Sequence, residues 1–146
     1  MQDFRKLKVW QKSHSLVLRI YNATCTFPEP EKYGLTSQMR RAAASVPANI
    51  AEGCARSGRT EFRQFLYISA GSASELDYLL LLGRDLHLLT EKQYEALYSS
   101  LYEVRRMLTG LIERLSISSN NPPSRDTRNV TQAAHPQPTV LAETKN

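Results

Sequence analysis

The sequence predicts an all-α protein, an antiparallel up-down-up-down four-helix bundle, and three observations carry that prediction. Four segments place apolar residues at steps of three and four, which lines one face of a helix. No segment alternates with the period of two that a half-buried strand requires. The connections between periodic segments are short, so neighbouring helices pack antiparallel. At 146 residues the chain suits one bundle domain, residues 1–117, followed by a tail over 118–146.

The first helix is expected from Leu7 to Thr26, with Val9, Trp10, Ser13, Leu16, Val17, Ile20, Tyr21 and Thr24 on its buried face. Phe27-Pro28-Glu29-Pro30 ends it, because each proline lacks an amide donor and drives its predecessor out of the α region. After a turn at Tyr33-Gly34, Thr36 or Ser37 can cap a second helix whose apolar side is Leu35, Met39, Ala42, Ala43, Val46 and Ile50. Gly53 can close that helix in the left-handed conformation. Pro47 inside it costs ~3 kcal/mol in a free helix, so a kink held by packing is expected.

The third helix is expected to start at Thr60 as N-cap, with Glu61 in its first turn. Its stripe runs through Phe62, Phe65, Leu66, Ser69, Ser72, Ala73, Leu76, Leu79, Leu80, Gly83 and Leu86. The small-residue run Ser69 to Ser74 lies inside that pattern and lacks the lysine of a phosphate loop, so it favours close helix packing. The fourth helix opens with the capping box Thr90-Glu91-Lys92-Gln93 and repeats Tyr94, Leu97, Leu101, Val104, Leu108, Leu111 and Leu115 in heptad register. Apolar residues outside these stripes, among them Tyr67, Ile68, Leu81, Leu82, Tyr98, Tyr102 and Met107, leave a surface that self-association would cover.

Lys and Arg number 19 against 14 Asp and Glu, a modest excess whose placement matters more than its size. In an antiparallel bundle the start of helix one, the corner between helices two and three and the end of helix four share a pole. That pole holds ten basic and five acidic side chains, against six and seven in the rest of the bundle. Its candidate nucleic-acid-binding residues are Arg56, Arg59, Arg63, Lys8, Lys12, Arg105, Arg106 and Arg114. Repeated around a ring they would suit the phosphate backbones of RNA or DNA, with structured RNA or an RNA–DNA duplex as the expected ligand and affinity falling as salt rises. The alternative is a scaffold ring that docks a partner protein, its arginines in intersubunit ion pairs. At least one of Arg40 and Arg41 is expected to pair, with Glu75 or Asp77 as candidate partners. Aromatic residues are not interleaved with the exposed basic ones, so neither base stacking nor sequence-specific readout is expected.

Nothing in the pattern points to an enzyme. His14, His87 and His135 are scattered, with no partner at metal-ligand spacing, so neither metal nor cofactor is expected. Asn49 and Glu52 share a helical face, where bonding to helix-end groups is the favoured role. Cys25 and Cys54 flank a helix of roughly 17 residues, about 25 Å, too far for a disulfide, and Cys54 reads as a structural thiol. The segment 118–146, with Pro122, Pro123, Pro136 and Pro138, reads as a disordered tail. No apolar run approaches the ~20 residues of a membrane span and MQDFRKLKVW has no hydrophobic signal core, so a cytoplasmic protein is expected.

Three blocks carry a family resemblance: LKVWQKSHSLVLRIY, FPEPEKYGLTSQMRRAAASVPANIAEG and EFRQFLYISAGSASELDYLL. They resemble the four-helix-bundle family encoded in the 23S ribosomal RNA intervening sequence, over about Phe4 to Leu115. Lys6 departs from the acidic residue the family often carries there. The resemblance implies a bundle that assembles into a homopentameric ring without established enzymatic activity. The family is also similar to the accessory variability determinants of diversity-generating retroelements, which implies nucleic acid, and a reverse transcriptase, as partners.

Overall fold

The computed structural model describes residues 2–117 and builds four helices from them: α1 Lys8–Thr24, α2 Leu35–Ala55, α3 Arg59–Asp85 and α4 Glu91–Ile117. Single 3-10 turns occupy Phe4–Lys6 and Glu29–Glu31, and no strand occurs among the described residues. The expected tail, 118–146, lies outside them.

The core is made by the stripes. Ile20 of α1, Met39 and Ile50 of α2, Leu66, Leu76 and Leu80 of α3, and Leu101 and Leu108 of α4 are all fully enclosed. Every residue expected on the apolar side of α2 is buried. Two expectations on α1 and α3 fail: Tyr21 is exposed by 44% beside the buried Ile20 and Thr24, and Leu86 is exposed by 51% because α3 ends at Asp85 and Leu86 is its C-cap. On α4 the core positions are Leu97, Leu101, Val104, Leu108 and Ile112, so Ile112 takes the place expected of Leu111.

Helix ends depart further from expectation. Thr36 and Ser37 do not cap α2; its N-cap is Gly34, and the free amide of Leu35 donates to the Glu31 carboxylate at 3.2 Å. Thr60 is likewise inside α3, whose N-cap is Gly58 without a side-chain bond. Gly53 is not a stop, since α2 continues through Pro47 and Gly53 to Ala55. The α4 capping box forms as expected, with Gln93 N–H donating to Thr90 Oγ1 at 3.1 Å and Thr90 N–H to Gln93 Oε1 at 2.9 Å. His87, at φ 57, supplies the left-handed residue that closes α3, and the Leu88 amide donates to the Gly83 carbonyl at 2.9 Å.

Small side chains let α2 and α3 approach closely. Ser69 Oγ donates to the Val46 carbonyl at 2.9 Å, Ser45 and Ser72 hydroxyls meet at 2.8 Å, and Gly53 lies under Phe62 and Phe65. Ser69 and Ser72 of the small-residue run therefore serve packing, as expected, while Gly71 faces open space. Two contacts then define one end of the bundle. Gln2 N–H donates to the Cys54 carbonyl at 3.2 Å, tying the N-terminal segment to the end of α2. Arg63 Nη1 donates to Ser116 Oγ at 3.3 Å, tying the start of α3 to the end of α4.

Candidate nucleic-acid interface

The eight cations singled out from the sequence fall into two groups. Lys8 opens α1, Arg56 and Arg59 flank the α2–α3 corner, Arg63 lies one turn into α3, and Arg114 belongs to the last turn of α4. These five lie at the end of the bundle that the Gln2–Cys54 and Arg63–Ser116 contacts define. Lys12, Arg105 and Arg106 sit elsewhere. Lys12 reaches Glu103 at 3.2 Å, and Arg105 pairs with Asp77, which holds it and Arg106 midway along α4. The expectation of a single group of eight is corrected to that extent, because helix length puts the middle of α4 several turns from its end.

Their freedom differs as well. Arg56 is held by Glu52 at 2.8 Å, one helical turn back, and its guanidinium lies 5.1 Å from the Phe65 ring centre. Lys8, Arg59 and Arg106 are exposed and have no carboxylate partner among the described residues. The Lys8 end also carries the aromatic cluster of the N-terminal segment. Trp10 stacks on His14 at 5.0 Å and meets Phe4 at 4.9 Å, with the Arg5 guanidinium 4.5 Å from the Phe4 ring centre.

The remaining polar residues have structural tasks. Arg40 does pair, but with α1 and not with Glu75 or Asp77: its Nε donates to Thr24 Oγ1 at 2.9 Å and its guanidinium lies 4.6 Å from the Tyr21 ring centre. Asn49 Nδ2 donates to the Ser45 carbonyl at 2.8 Å, and Glu52 holds Arg56. Both cysteines are free thiols, Cys25 exposed and Cys54 buried. Burial pushes the Cys54 thiol above its ordinary value, and Asp3 adds to the shift, which keeps it protonated and poor as a nucleophile. Among the described residues no three His, Cys, Asp or Glu side chains could hold a metal ion. None of the described helices is long and apolar enough to cross a membrane.

One arrangement contradicts the expectation that aromatic and basic residues stay apart. Tyr94, Tyr98 and Tyr102 stand one turn apart on α4 with near-parallel rings, their centres 5.8 and 6.4 Å apart. Arg84 lies 4.6 Å from the ring centre of Tyr94, and Arg106 lies 6.0 Å from that of Tyr102. The four-residue spacing was visible in the sequence. The ring orientations were not, since they depend on rotamers and on a residue from α3.

The fold and these residues define an all-helical four-helix protein. The family described as 23S rRNA-intervening sequence protein matches residues 5–110, and the chain belongs to that family. It is similar to the crystal structure of a Bacteroides thetaiotaomicron protein of unknown function from the S23 ribosomal protein family. That similarity has a TM-score of 0.67 at 28% identity and covers 72% of this chain and 95% of the other. No curated protein matches the chain.

Proposed function

We propose that this chain is a non-enzymatic, homo-oligomeric nucleic-acid-binding protein that holds phosphate backbones at one end of an antiparallel bundle. The observation that carries the reading is the gathering of Lys8, Arg56, Arg59, Arg63 and Arg114 at that end, with Lys8 and Arg59 exposed and free of carboxylate partners among the described residues. Such cations release counterions from a phosphate backbone and so supply affinity without reading bases. The antiparallel order is supported by Arg63 meeting Ser116 across the α3–α4 pair and by Arg40, near the start of α2, meeting Thr24 at the end of α1. Association into a ring is supported by Tyr67, Ile68 and Tyr78, large side chains on α3 that are more than half exposed in the single chain. The family's link to a 23S rRNA intervening sequence is compatible with an RNA ligand.

The test is a salt titration of binding to duplex RNA and DNA, comparing the wild type with the triple variant Arg56→Glu, Arg59→Glu, Arg63→Glu. Affinity should fall linearly with salt on logarithmic axes, and the triple variant should bind at least tenfold more weakly with a shallower slope. Binding that is unchanged in the variant, or independent of salt, would overturn the reading and leave the protein-docking scaffold.

A further inference from the structure

We propose that the Tyr94–Tyr98–Tyr102 ladder, flanked by Arg84 and Arg106, is a stacking platform for the unpaired bases of a single-stranded nucleic acid. This surface lies on the middle and first half of α4 and is separate from the cations at the bundle end, so the inference does not depend on them.

The first support is geometric. Tyr98 and Tyr102 are exposed by 38% and 52%, so their rings are not consumed by the core. Their planes are inclined by only 21° and 28° along the ladder, so a strand lying parallel to α4 meets ring after ring in similar orientation. The ring spacing of 5.8 and 6.4 Å is close to the 6 Å that four helical residues advance. It is also nearly twice the ~3.4 Å repeat of stacked bases along one strand, which sets one ring against about every second base.

The second support is charge. Guanidinium groups close both ends of the ladder, Arg84 at Tyr94 and Arg106 at Tyr102. Arg84 is bonded to Asp85 at 3.1 Å and Arg105 to Asp77, whereas Arg106 has no carboxylate partner among the described residues. Arg106 also borders the open groove beside Tyr102, a space of 440 Å³ that continues past Thr109 to Gly110, where an added Cβ would meet nothing within 4 Å. A base can lie on the Tyr102 ring in that groove while its phosphate meets Arg106. Aromatic rings interleaved with arginines recognise single strands in this way without preference for sequence, since every base has a π-face. A duplex offers no free base faces, so the ladder separates unpaired from paired strands.

The experiment measures fluorescence anisotropy of labelled single-stranded oligouridine and oligoadenosine, and of a duplex of equal length, against the full chain. The double variant Tyr98→Ala, Tyr102→Ala should bind the single strands at least tenfold more weakly. The double variant Tyr98→Phe, Tyr102→Phe, which keeps the rings, should bind them like the wild type, and Arg106→Glu should weaken them with a reduced salt slope. Single-strand affinity untouched by the alanine variant would overturn the proposal, as would loss that the phenylalanine variant shares. A change in oligomer mass caused by the alanine pair would also overturn it, by making the ladder a contact between copies of the chain. The variant Arg59→Glu separates the two surfaces: duplex binding that survives it counts against the bundle-end reading alone, while the ladder stands or falls on the tyrosine variants.

Discussion

Two glycines on neighbouring helices have opposite surroundings. A Cβ on Gly53 would lie 2.8 Å from Phe62 Cδ2 and 2.9 Å from Phe65 Cβ, and the latter is fixed to the α3 backbone. A Cβ on Gly71 would meet nothing within 4 Å. Gly53→Ala should therefore destabilise the protein by about 1–3 kcal/mol through overpacking, while Gly71→Ala should stabilise it by about 0.5–1 kcal/mol by removing backbone freedom from a helix interior. Urea unfolding of the two variants measures both signs, and a neutral Gly53→Ala would refute the close approach of α2 to α3. Gly53 was read from the sequence as a helix stop because the local pattern of apolar residues ends there. What keeps the position small is two phenylalanines across the α2–α3 corner, and no spacing within α2 announces them.

At the scale of the helix, α4 shows how a periodic reading loses register. A straight α-helix falls behind a strict seven-residue repeat by about 20° per heptad. Two heptads beyond Leu97 the core side has moved from Leu111 to Ile112, which is 8% exposed. Ile112→Ala should cost about 2–5 kcal/mol, and Leu111→Ala, at a half-buried position, clearly less; thermal unfolding followed by circular dichroism ranks them, and the reverse order would restore the heptad. The stripes of all four helices were legible because each sums many residues. The caps of α2 and α3 were not. The α2 amides are met from the preceding 3-10 turn by Glu31, and α3 starts on the backbone of Gly58, so neither start carries the side-chain signature that Thr90 and Gln93 give α4. The candidate site divides in the same way: the positions of the corner arginines between α2 and α3 follow from connectivity alone, whereas the height of Arg105 along α4 is registered by Asp77 of α3, which no spacing within α4 announces.

The whole molecule presents surface that a single copy leaves uncovered. Tyr67, Ile68 and Tyr78 are exposed by 57%, 52% and 61%, all on α3. Light scattering on an eluting protein should return a mass that is a multiple of the 16.6 kDa chain, and a monomer at all concentrations would refute association. Salt provides an internal contrast, because contacts made by apolar burial persist as ionic strength rises while phosphate contacts weaken. The chain also contains its own optical reporter. Trp10 is the sole tryptophan, and it stacks on His14 and meets the tilted Phe4 ring at the end of the bundle where Lys8 lies. All indole emission therefore originates from one place, so a strand arriving at that end can be followed in the unlabelled protein, at a wavelength to which the tyrosines of α4 do not contribute.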